Sequence, residues 1–263
     1  MKKPDTVEAW IKDAAKALKK DAASAPVTRV DTYNSGWLKN PDSSQGSGGT
    51  GFFYQNKKGK IFLVTNAHVF VKEDEDYFPD KIAFYVPSKN GKAKPVILDL
   101  LKGRKRCWKS FPRKYNRDVA VLEIPKEKLG KCYFFAFGRE NILPDEDLIK
   151  VPLGAPVRLF GYPHGFPTDR YTKTPIVRYG IISSKPGIPL EGEEYFLIEA
   201  NTQPGMSGSP VIIWSEDLVG EESKSSPFYL LGILSAIWRL RFEHSGLNFV
   251  YPASLIKRLA GDR

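Results

Sequence analysis

The chain reads Asn201-Thr202-Gln203-Pro204-Gly205-Met206-Ser207-Gly208-Ser209-Pro210, and an apolar segment at 211–214 follows directly. A serine hydroxyl becomes an effective nucleophile only when a base takes its proton and nearby donors stabilise the oxyanion that forms. Glycines at 205 and 208 allow the backbone to bend so that peptide N–H groups can point at one spot. The stretch therefore predicts a sharp turn that presents Ser207, and other parts of the chain must supply a base and an orienting acid.

The candidate base is His68, which follows an apolar segment at 61–64 and the polar pair at 65–66. The apolar segment predicts a buried strand and the polar pair marks its end, so the imidazole is expected at a strand-to-turn junction. The chain has two other histidines, His164 and His244. A surface or core histidine is the simpler interpretation of any one of the three taken alone, and we expect His164 to be a turn residue.

The candidate acid is Asp118, which opens a segment of strand-forming residues at 119–124. An aspartate at a strand start or turn is common, and this interpretation stays open for Asp118 taken alone. A buried carboxylate needs partners, and a histidine N–H is a suitable one. The order His68, Asp118, Ser207 is that of the chymotrypsin triad and differs from the orders in α/β-hydrolases and subtilisins.

Two other arrangements of a serine site fit the sequence less well. The G-x-S-x-G turn of α/β-hydrolases lacks its second glycine, because Ser209 stands there, and Pro210 falls where that fold continues as a helix. A triad in the order Ser207, Asp217, His244 can also be drawn, but neither Asp217 nor His244 adjoins a predicted strand end of the expected kind.

Three segments resemble a known family, namely Thr65-Asn66-Ala67-His68, Asp118-Val119-Ala120-Val121-Leu122 and Gly205-Met206-Ser207-Gly208-Ser209-Pro210. They are similar to the trypsin-like (chymotrypsin-fold) serine peptidases, and most of all to the bacterial branch that includes glutamyl endopeptidases and periplasmic stress proteases. The resemblance covers residues 46–262. It implies a bacterial serine endopeptidase, a hydrolase that cleaves peptide bonds of protein or peptide substrates through an acyl-enzyme.

The resemblance and the strand pattern predict a mainly β fold: two six-stranded antiparallel Greek-key β-barrels (chymotrypsin-like) with an N-terminal helix and a short C-terminal helix. We expect a helical extension and lead-in at 1–45, an N-terminal β-barrel at 46–150 and a C-terminal β-barrel with the terminal helix at 151–263. Apolar spacing predicts the two helices at 5–22 and 254–259. The pattern predicts strands near 51–55, 61–65, 82–86, 95–101, 119–124, 132–137, 156–161, 176–183, 195–200, 210–214, 228–236 and 247–251.

The resemblance also implies a role for each matching site residue. Ser207 would be the nucleophile, and His68 would act first as general base and then as general acid. Asp118 would hold the tautomer and orientation of His68. The backbone N–H groups of Gly205 and Ser207 would form the oxyanion hole.

The resemblance places the specificity pocket at Asn201, Thr202, Ser235, Ala236, Ile237 and Asn248. Asn201 stands where trypsins carry an aspartate, which argues against Lys or Arg at P1, the residue before the scissile bond. Thr202 matches a hydroxyl residue of glutamyl endopeptidases, but Leu234 stands where they usually carry a histidine. Bulk at Ile237 and Asn248 would make the pocket shallow and favour a small P1 residue. An acidic P1 is the alternative, with positive charge supplied by Arg239, Arg241 or His244.

The formal net charge is +10, and much of the excess is local. A run without an acidic residue before Asp118 contains Lys102, Arg104, Lys105, Arg106, Lys109, Arg113, Lys114 and Arg117. Such a run can be a solvated loop or can bind nucleic acid. A third hypothesis is that Arg104, Lys105 and Arg106 favour substrates with acidic residues upstream of the scissile bond. The alternative to a peptidase is a catalytically silent trypsin-like fold that binds acidic protein or nucleic acid.

Cysteine content and the N-terminal sequence bear on the compartment. Only Cys107 and Cys132 are present, so the chain is not a disulfide-stapled secreted scaffold. The first residues contain no apolar signal-peptide core, and no apolar run is long enough to span a membrane. We expect an intracellular (cytoplasmic) protein that does not associate with membranes, with a secreted mature form as the alternative.

No metal or cofactor is expected, because the histidines and cysteines show no ligand spacing. Activation is expected to differ from that of digestive zymogens, which carry an aspartate before the nucleophile to pair with a freed N-terminus. Here that residue is Met206, and no Ile-Val-Gly-Gly sequence is present. The chain should therefore need no N-terminal cleavage, while control by an activating or regulatory protein partner stays open.

Overall fold

The computed structural model of this protein describes residues 27–34, 46–71, 78–87, 93–115, 117–130, 132, 134–164, 173–218, 226–240 and 243–262. At 46, 87, 113, 236–240 and 243–244 only the backbone is described. The predicted helix at 5–22 and most of the predicted lead-in lie outside the described residues, so these predictions stay untested.

The first half of the chain forms one curled sheet. Its strands are β1 (Val27–Tyr33), β2 (Gly46–Gln55), β3 (Ile61–Thr65), β4 (Lys81–Pro87), β5 (Ala93–Asp99), β8 (Trp108–Ser110), β9 (Ala120–Ile124) and β10 (Ala136–Phe137). The order is β5-β4-β1-β2-β3-β9-β8, and β10 pairs in parallel with β2. A separate hairpin of β6 (Leu101–Lys102) and β7 (Lys105–Arg106) connects β5 to β8.

The second half forms a closed six-stranded barrel. Its strands are β11 (Pro156–Gly161), β12 (Ile176–Ile182), β13 (Phe196–Ala200), β14 (Pro210–Trp214), β15 (Phe228–Leu240) and β16 (Glu243–Pro252). They close in the order β11-β12-β13-β16-β15-β14, and every pair is antiparallel. The predicted mainly β, chymotrypsin-like architecture is confirmed.

The first sheet differs from the predicted six-stranded barrel. Its edge strands β5 and β8 do not pair with each other in the described part of the chain. Strand β1, which the sequence analysis missed, pairs with β2 and β4 and lies before residue 46, where the barrel was expected to begin. The strand predicted at 132–137 is reduced to the two residues of β10, and Phe134 and Phe135 before it pack on Phe53 and Phe137.

In the described part of the chain, four short α-helices connect and close the sheets: α1 (Ala67–Phe70), α2 (Lys126–Leu129), α3 (Asp145–Leu148) and α4 (Ser254–Ala260). The C-terminal helix α4 was predicted at this place. Hydrogen bonds fasten its end to the first sheet, since Tyr54 Oη donates to Asp262 Oδ2 at 2.6 Å and Asn56 Nδ2 donates to the Ala260 carbonyl at 2.9 Å. In the described part of the chain, no helix has the length and apolar character needed to cross a membrane.

Three apolar clusters form the core. One fills the first sheet and another fills the closed barrel. The third lies between them and combines Phe52 and Tyr54 of β2, Ile233 of β15 and Leu255 and Ile256 of α4. Because burial of apolar surface is the main stabilising contribution, this shared cluster holds the two halves in a fixed relation, and the candidate site lies at their junction.

Candidate active site

Strand pairing brings His68 and Asp118 together. Thr65 at the end of β3 lies opposite Ala120 at the start of β9, so the residues just after β3 adjoin those just before β9. The His68 backbone N–H donates to Asp118 Oδ1 at 3.0 Å, and His68 Nδ1 lies 2.6 Å from Asp118 Oδ2. Asn66 Nδ2 donates to the Asp118 backbone carbonyl at 2.7 Å. Both carboxylate oxygens of Asp118 thus hold His68.

This geometry favours the ionised form of Asp118 and fixes the tautomer of His68. Burial by itself would raise the pKa of Asp118, but hydrogen bonds from the His68 ring, the Ser235 hydroxyl and the His68 backbone outweigh it and hold the pKa below its ordinary value. An ionised carboxylate only accepts, so the proton of the imidazole lies on Nδ1. The lone pair of Nε2 is therefore left to accept a proton from a nucleophile.

Ser207 belongs to the closed barrel, and among the described residues its hydroxyl bonds to the Ser235 carbonyl and not to His68. The Gly208 N–H donates to the Leu234 carbonyl, and the Leu234 N–H donates to the Ser209 carbonyl, each at 2.9 Å, which fixes the serine turn beside β15. The Ser207 hydroxyl donates to the Ser235 carbonyl at 3.1 Å, and the Ser235 hydroxyl donates to Asp118 Oδ2 at 2.5 Å. Ser235 therefore contacts both the serine and the acid, and it joins the contributions of the two halves.

In the residues 203–209, here called the nucleophile loop, three carbonyl groups bind donors outside the loop. The Pro204 carbonyl accepts from the His164 N–H at 2.8 Å, and the Gly205 carbonyl accepts from Thr50 Oγ1 at 2.9 Å. The Ser207 carbonyl accepts from the Thr50 N–H at 2.8 Å. Because C=O and N–H of a trans peptide point in opposite directions, the His164 bond turns the Gly205 N–H away from His164.

Three N–H groups of the loop have no protein acceptor among the described residues, and two of them, those of Gly205 and Ser207, lie at the serine itself, whereas the third belongs to Gln203 at the start of the loop. The neighbouring Met206 N–H donates to the Gln203 carbonyl at 3.1 Å, and the Gly208 N–H is also used. Buried backbone N–H groups are almost always paired, so unused donors in such a turn are suited to an external oxygen. These are the two donors that the sequence analysis expected in the oxyanion hole.

Glycine is required at two positions of this loop. Gly205 has φ +92° and Gly208 has φ +88°, in the left-handed region that side chains disfavour. A Cβ on Gly208 would lie 2.0 Å from the Thr50 carbonyl oxygen, and one on Gly205 would lie 2.5 Å from that of Tyr162. Only glycine allows the loop to approach β2 and the end of β11 this closely.

The predicted pocket residues divide into three groups. Asn201 and Thr202 line a groove of about 660 Å³ together with Tyr179, Gly180, Ile181, Glu199, Ala200, Gln203 and Gly246. The Thr202 hydroxyl bonds to Asn248 Oδ1, and the fully buried Asn248 amide donates to the carbonyls of Ala200 and Gly246 at 2.9 Å. Ser235 lies beside the triad candidates, and the side chains of Ala236 and Ile237 are outside the described ones.

The basic residues that were expected to bind an acidic P1 residue have no described side chains. For Arg239 and His244 only the backbone is described, and they pair with each other between β15 and β16. Arg241 lies outside the described residues.

The predicted basic patch lies on the exposed β6–β7 hairpin, which contains Arg104, Lys105 and Arg106. The hairpin leads into β8 at Trp108, opposite Leu122, whereas the other end of β8 lies opposite Ala120, nearer Asp118. An aromatic stack connects the hairpin with α1, because Arg106 lies 5.0 Å from the Trp108 ring and that ring lies 5.1 Å from Phe70.

The basic residue that lies next to Asp118 is already paired. Arg117 donates to Glu194 Oε1 at 2.6 Å and stacks on the rings of Phe111 and Tyr115 at 5.2 and 5.1 Å. Its charge therefore serves a contact between the two halves of the molecule, because Glu194 lies in the second half.

Sequence reasoning missed two contributions to the site. Thr50 was not singled out, although its place in Gly49-Thr50-Gly51 before the apolar pair Phe52-Phe53 could have marked a close approach of the backbone. His164 was expected to be a turn residue, and in addition its N–H holds the Pro204 carbonyl. Its ring also lies where a side chain on Gly205 would extend, with Cδ2 2.5 Å from that Cβ position.

The described residues contain no group of three His, Cys, Asp or Glu side chains that could hold a metal ion. Cys107 and Cys132 are free thiols at the edge of the first-sheet core.

Comparisons with known proteins agree with this geometry. A model of the family described as trypsin-like peptidase domain matches residues 49–220. The chain is similar to the solved active form of the Rv3671c protease from M. tuberculosis, with a TM-score of 0.51 and 16% identity over 100% of this chain and 91% of that chain. No curated protein matches the sequence.

A second solved structure that is similar to this chain is the HtrA-type protease AlgW with a tripeptide. The TM-score is 0.54 at 19% identity, over 93% of this chain. The chain spans 62% of the length of AlgW. At such identities, the likeness to both structures shows the fold.

Proposed function

Because the chain belongs to the family of trypsin-like peptidase domains and is a serine endopeptidase, we propose that Ser207, His68 and Asp118 are its catalytic residues. One observation carries this assignment: both oxygens of the Asp118 carboxylate bind His68, one at the backbone N–H and one at Nδ1. A histidine held at Nδ1 in this way leaves Nε2 to take the proton of a serine nucleophile.

The residues would act in two half-reactions. Ser207 Oγ attacks the carbonyl carbon of the scissile peptide while His68 Nε2 takes the hydroxyl proton. The oxyanion accepts hydrogen bonds from the N–H groups of Gly205 and Ser207. Collapse breaks the C–N bond, and His68 gives its proton to the leaving amine. Water then attacks the acyl-enzyme with the same proton transfers and releases the acid.

For P1 we propose a small, uncharged residue. The Thr202 hydroxyl and the Asn248 amide satisfy each other and the nearby carbonyls, so this part of the pocket offers no charge. Glu199 at the groove disfavours an acidic P1 residue, because like charges repel. A peptide library with Ala, Val or Ser at P1, against Glu or Asp and Lys or Arg, tests this preference. Dominant cleavage after Lys or Arg would contradict it.

The decisive experiment for the catalytic assignment is labelling with a fluorophosphonate probe, which reacts with an activated serine. Wild type should label, whereas Ser207→Ala and His68→Ala should not. Ser209→Ala is the matched control, because Ser209 lies in the same loop but its hydroxyl is buried away from solvent. Labelling that persists in Ser207→Ala would refute the assignment.

A second candidate function rests on the exposed basic hairpin. A catalytically silent protein of this fold could use Arg104, Lys105 and Arg106 to bind acidic protein or nucleic acid. A wild type that never labels and hydrolyses no peptide, but binds a nucleic acid duplex or a poly-glutamate peptide with strong salt dependence, would favour this candidate.

A further inference from the structure

We propose that Thr50, on strand β2 of the first sheet, is a positioning residue that holds the nucleophile loop with two N–H groups free for the oxyanion. This inference deepens the proposed function, since it assumes that the loop supplies an oxyanion hole. Thr50 is fully buried, and it belongs to the half of the molecule that does not carry Ser207.

Every polar group of Thr50 is engaged at the junction of the two halves. Its hydroxyl donates to the Gly205 carbonyl at 2.9 Å and accepts from the Tyr162 N–H at 3.0 Å. Its own N–H donates to the Ser207 carbonyl at 2.8 Å. Its carbonyl accepts from Thr65 Oγ1 at 2.7 Å, which fixes Thr50 to the strand that precedes His68.

Two of these bonds fix the peptide planes on either side of one oxyanion donor. The Gly205 carbonyl belongs to the peptide before Met206, and the Ser207 carbonyl belongs to the peptide before Gly208. Between them lies the peptide that carries the Ser207 N–H. Because peptides are planar, holding both neighbours restricts rotation of the plane in the middle. Thr50 thereby keeps the Ser207 N–H directed away from the Gly205 and Ser207 carbonyls, which both bind Thr50.

The loop needs such a restraint because glycine occupies positions 205 and 208. Glycine populates several backbone regions at similar energy. Without a restraint, a peptide of the loop could rotate until its carbonyl oxygen occupies the oxyanion position, and the oxyanion would then find no donor. Met206, between Gly205 and Ser207, cannot hold the loop by a polar contact, because its side chain is apolar and is fully buried in the core of the closed barrel. The hydroxyl of Thr50 is the polar side chain that reaches the Gly205 carbonyl among the described residues.

Thr28 offers a matched control for a test. It is a buried threonine on β1 whose hydroxyl also donates to a carbonyl and accepts an N–H, both of Tyr85, at 2.7 and 2.8 Å. Replacing either threonine by valine keeps the shape and leaves one carbonyl and one N–H without their hydroxyl partner, at a buried site for Thr50 and at a part-buried site for Thr28. Both variants should therefore lose stability, Thr50→Val the more of the two, while only Thr50→Val should disturb the nucleophile loop.

The first measurement is steady-state kinetics on a peptide substrate of wild type and both variants. Thr50→Val should lower kcat by about tenfold to a hundredfold with little change in KM, because a loosened oxyanion donor stabilises the transition state less than the bound substrate. Thr28→Val should keep kcat within about twofold of wild type. Thr50→Ser, which retains the hydroxyl, should recover most of the loss. Equal kcat in Thr50→Val and Thr28→Val would overturn the proposal.

The second measurement is hydrogen exchange of the backbone amides of residues 203–210, which does not depend on activity. The N–H groups of Met206, Gly208 and Ser209 have protein acceptors, so they should exchange about tenfold faster in Thr50→Val and not in Thr28→Val. Equal exchange in the two variants would overturn the role of Thr50 even in an active enzyme. Faster exchange in Thr50→Val combined with an inactive wild type would support Thr50 and refute the proposed catalysis.

Discussion

At the scale of single residues, the candidate site depends on the Asp118 carboxylate more than on any other side chain. Asp118 orients His68 through two bonds and receives a third from the Ser235 hydroxyl. Hydrogen bonds to an ionised group are among the stronger ones in proteins, at about 1.5–3 kcal/mol each. Catalytic orientation and local stability should therefore respond together when this carboxylate changes.

Asp118→Asn tests the orienting role. The amide keeps the shape but presents an N–H or a carbonyl to His68 Nδ1, so the wrong tautomer becomes accessible. The corresponding change in a Ser-His-Asp triad lowers kcat about 10⁴-fold, and we expect a loss of similar order. The measurement is peptide hydrolysis at neutral pH, with fluorophosphonate labelling as a second reading. A variant with near wild-type kcat would contradict the role of Asp118.

Asp118→Asn also tests how the stability of the folded protein depends on pH. Since the pKa of Asp118 in the folded protein lies below its ordinary value, the unfolded chain binds its proton more readily. The stabilisation from the carboxylate is then fully present above about pH 4 and is lost as the pH falls through the folded pKa. The difference in free energy of unfolding between wild type and Asp118→Asn should shrink below about pH 4 in urea titrations. A difference that grows at lower pH would contradict this sign.

At the scale of elements, the nucleophile loop shows how strand contacts and glycine geometry depend on each other. The loop lies against β2 so closely that the Cβ position of Gly208 falls 2.0 Å from the Thr50 carbonyl oxygen. The loop and the first sheet are therefore one packed unit, although they are far apart in the sequence.

Gly208→Ala should be strongly destabilising, since the new methyl group must displace the β2 backbone. Gly154→Ala is the matched control, because Gly154 has a similar φ of +77° and no heavy atom within 4 Å of its Cβ position. The control isolates the backbone cost of about 1–2 kcal/mol, and Gly208→Ala should exceed it by roughly 2 kcal/mol or more in urea unfolding. Equal losses in the two variants would show that the contact with Thr50 is not tight.

The basic hairpin β6–β7 supports a prediction about substrate charge. Replacing Arg104, Lys105 and Arg106 by glutamine should lower kcat/KM for peptides with acidic residues upstream of the scissile bond by about threefold to tenfold at low salt, and neutral peptides should be unaffected. The control is the triple replacement of the exposed Lys58, Lys94 and Lys126, which removes the same charge elsewhere. An equal loss on neutral peptides would contradict the hypothesis.

At the scale of the whole molecule, the candidate site exists only where the two halves meet. His68 and Asp118 come from the first sheet, and Ser207 comes from the closed barrel. The apolar cluster between the halves, the C-terminal attachment of Tyr54 to Asp262 and the ion pair of Arg117 with Glu194 all cross this junction. The placement of Ser207 relative to His68 and Asp118 therefore depends on the packing of the two halves.

Activation by N-terminal cleavage is not expected for this molecule. In digestive relatives a freed N-terminus pairs with an aspartate before the nucleophile, but here Met206 is buried in an apolar core with no charge to satisfy. The chain as expressed should label with a fluorophosphonate at full stoichiometry. Removal of residues 1–26 should not raise the labelling rate by more than about twofold. An intact chain that is inactive until it is trimmed would contradict this expectation.

Much of the fold could be predicted because its strands carry local signals. Apolar segments such as 61–64 and turn signals on either side identify strands without reference to the rest of the molecule. Strand β1 was not predicted, because Arg29 and Asp31 interrupt its apolar positions. These two side chains form an ion pair at 3.0 Å, a contact that the sequence does not reveal. The open edge between β5 and β8 was also missed, since pairing between distant strands leaves no local trace.

The sequence by itself determined the chemistry available to this protein: a histidine after a strand, an aspartate before a strand and a serine in a glycine turn, which follow each other along the chain in that order. Such choices are local, because residue type and backbone freedom act over a few positions. The tertiary structure alone decided which groups meet. It placed Ser235 on Asp118, the His164 N–H on Pro204 and Thr50 against Gly205 and Ser207. Hydrogen bonds are short and directional, so contacts between distant residues exist only after the halves have packed.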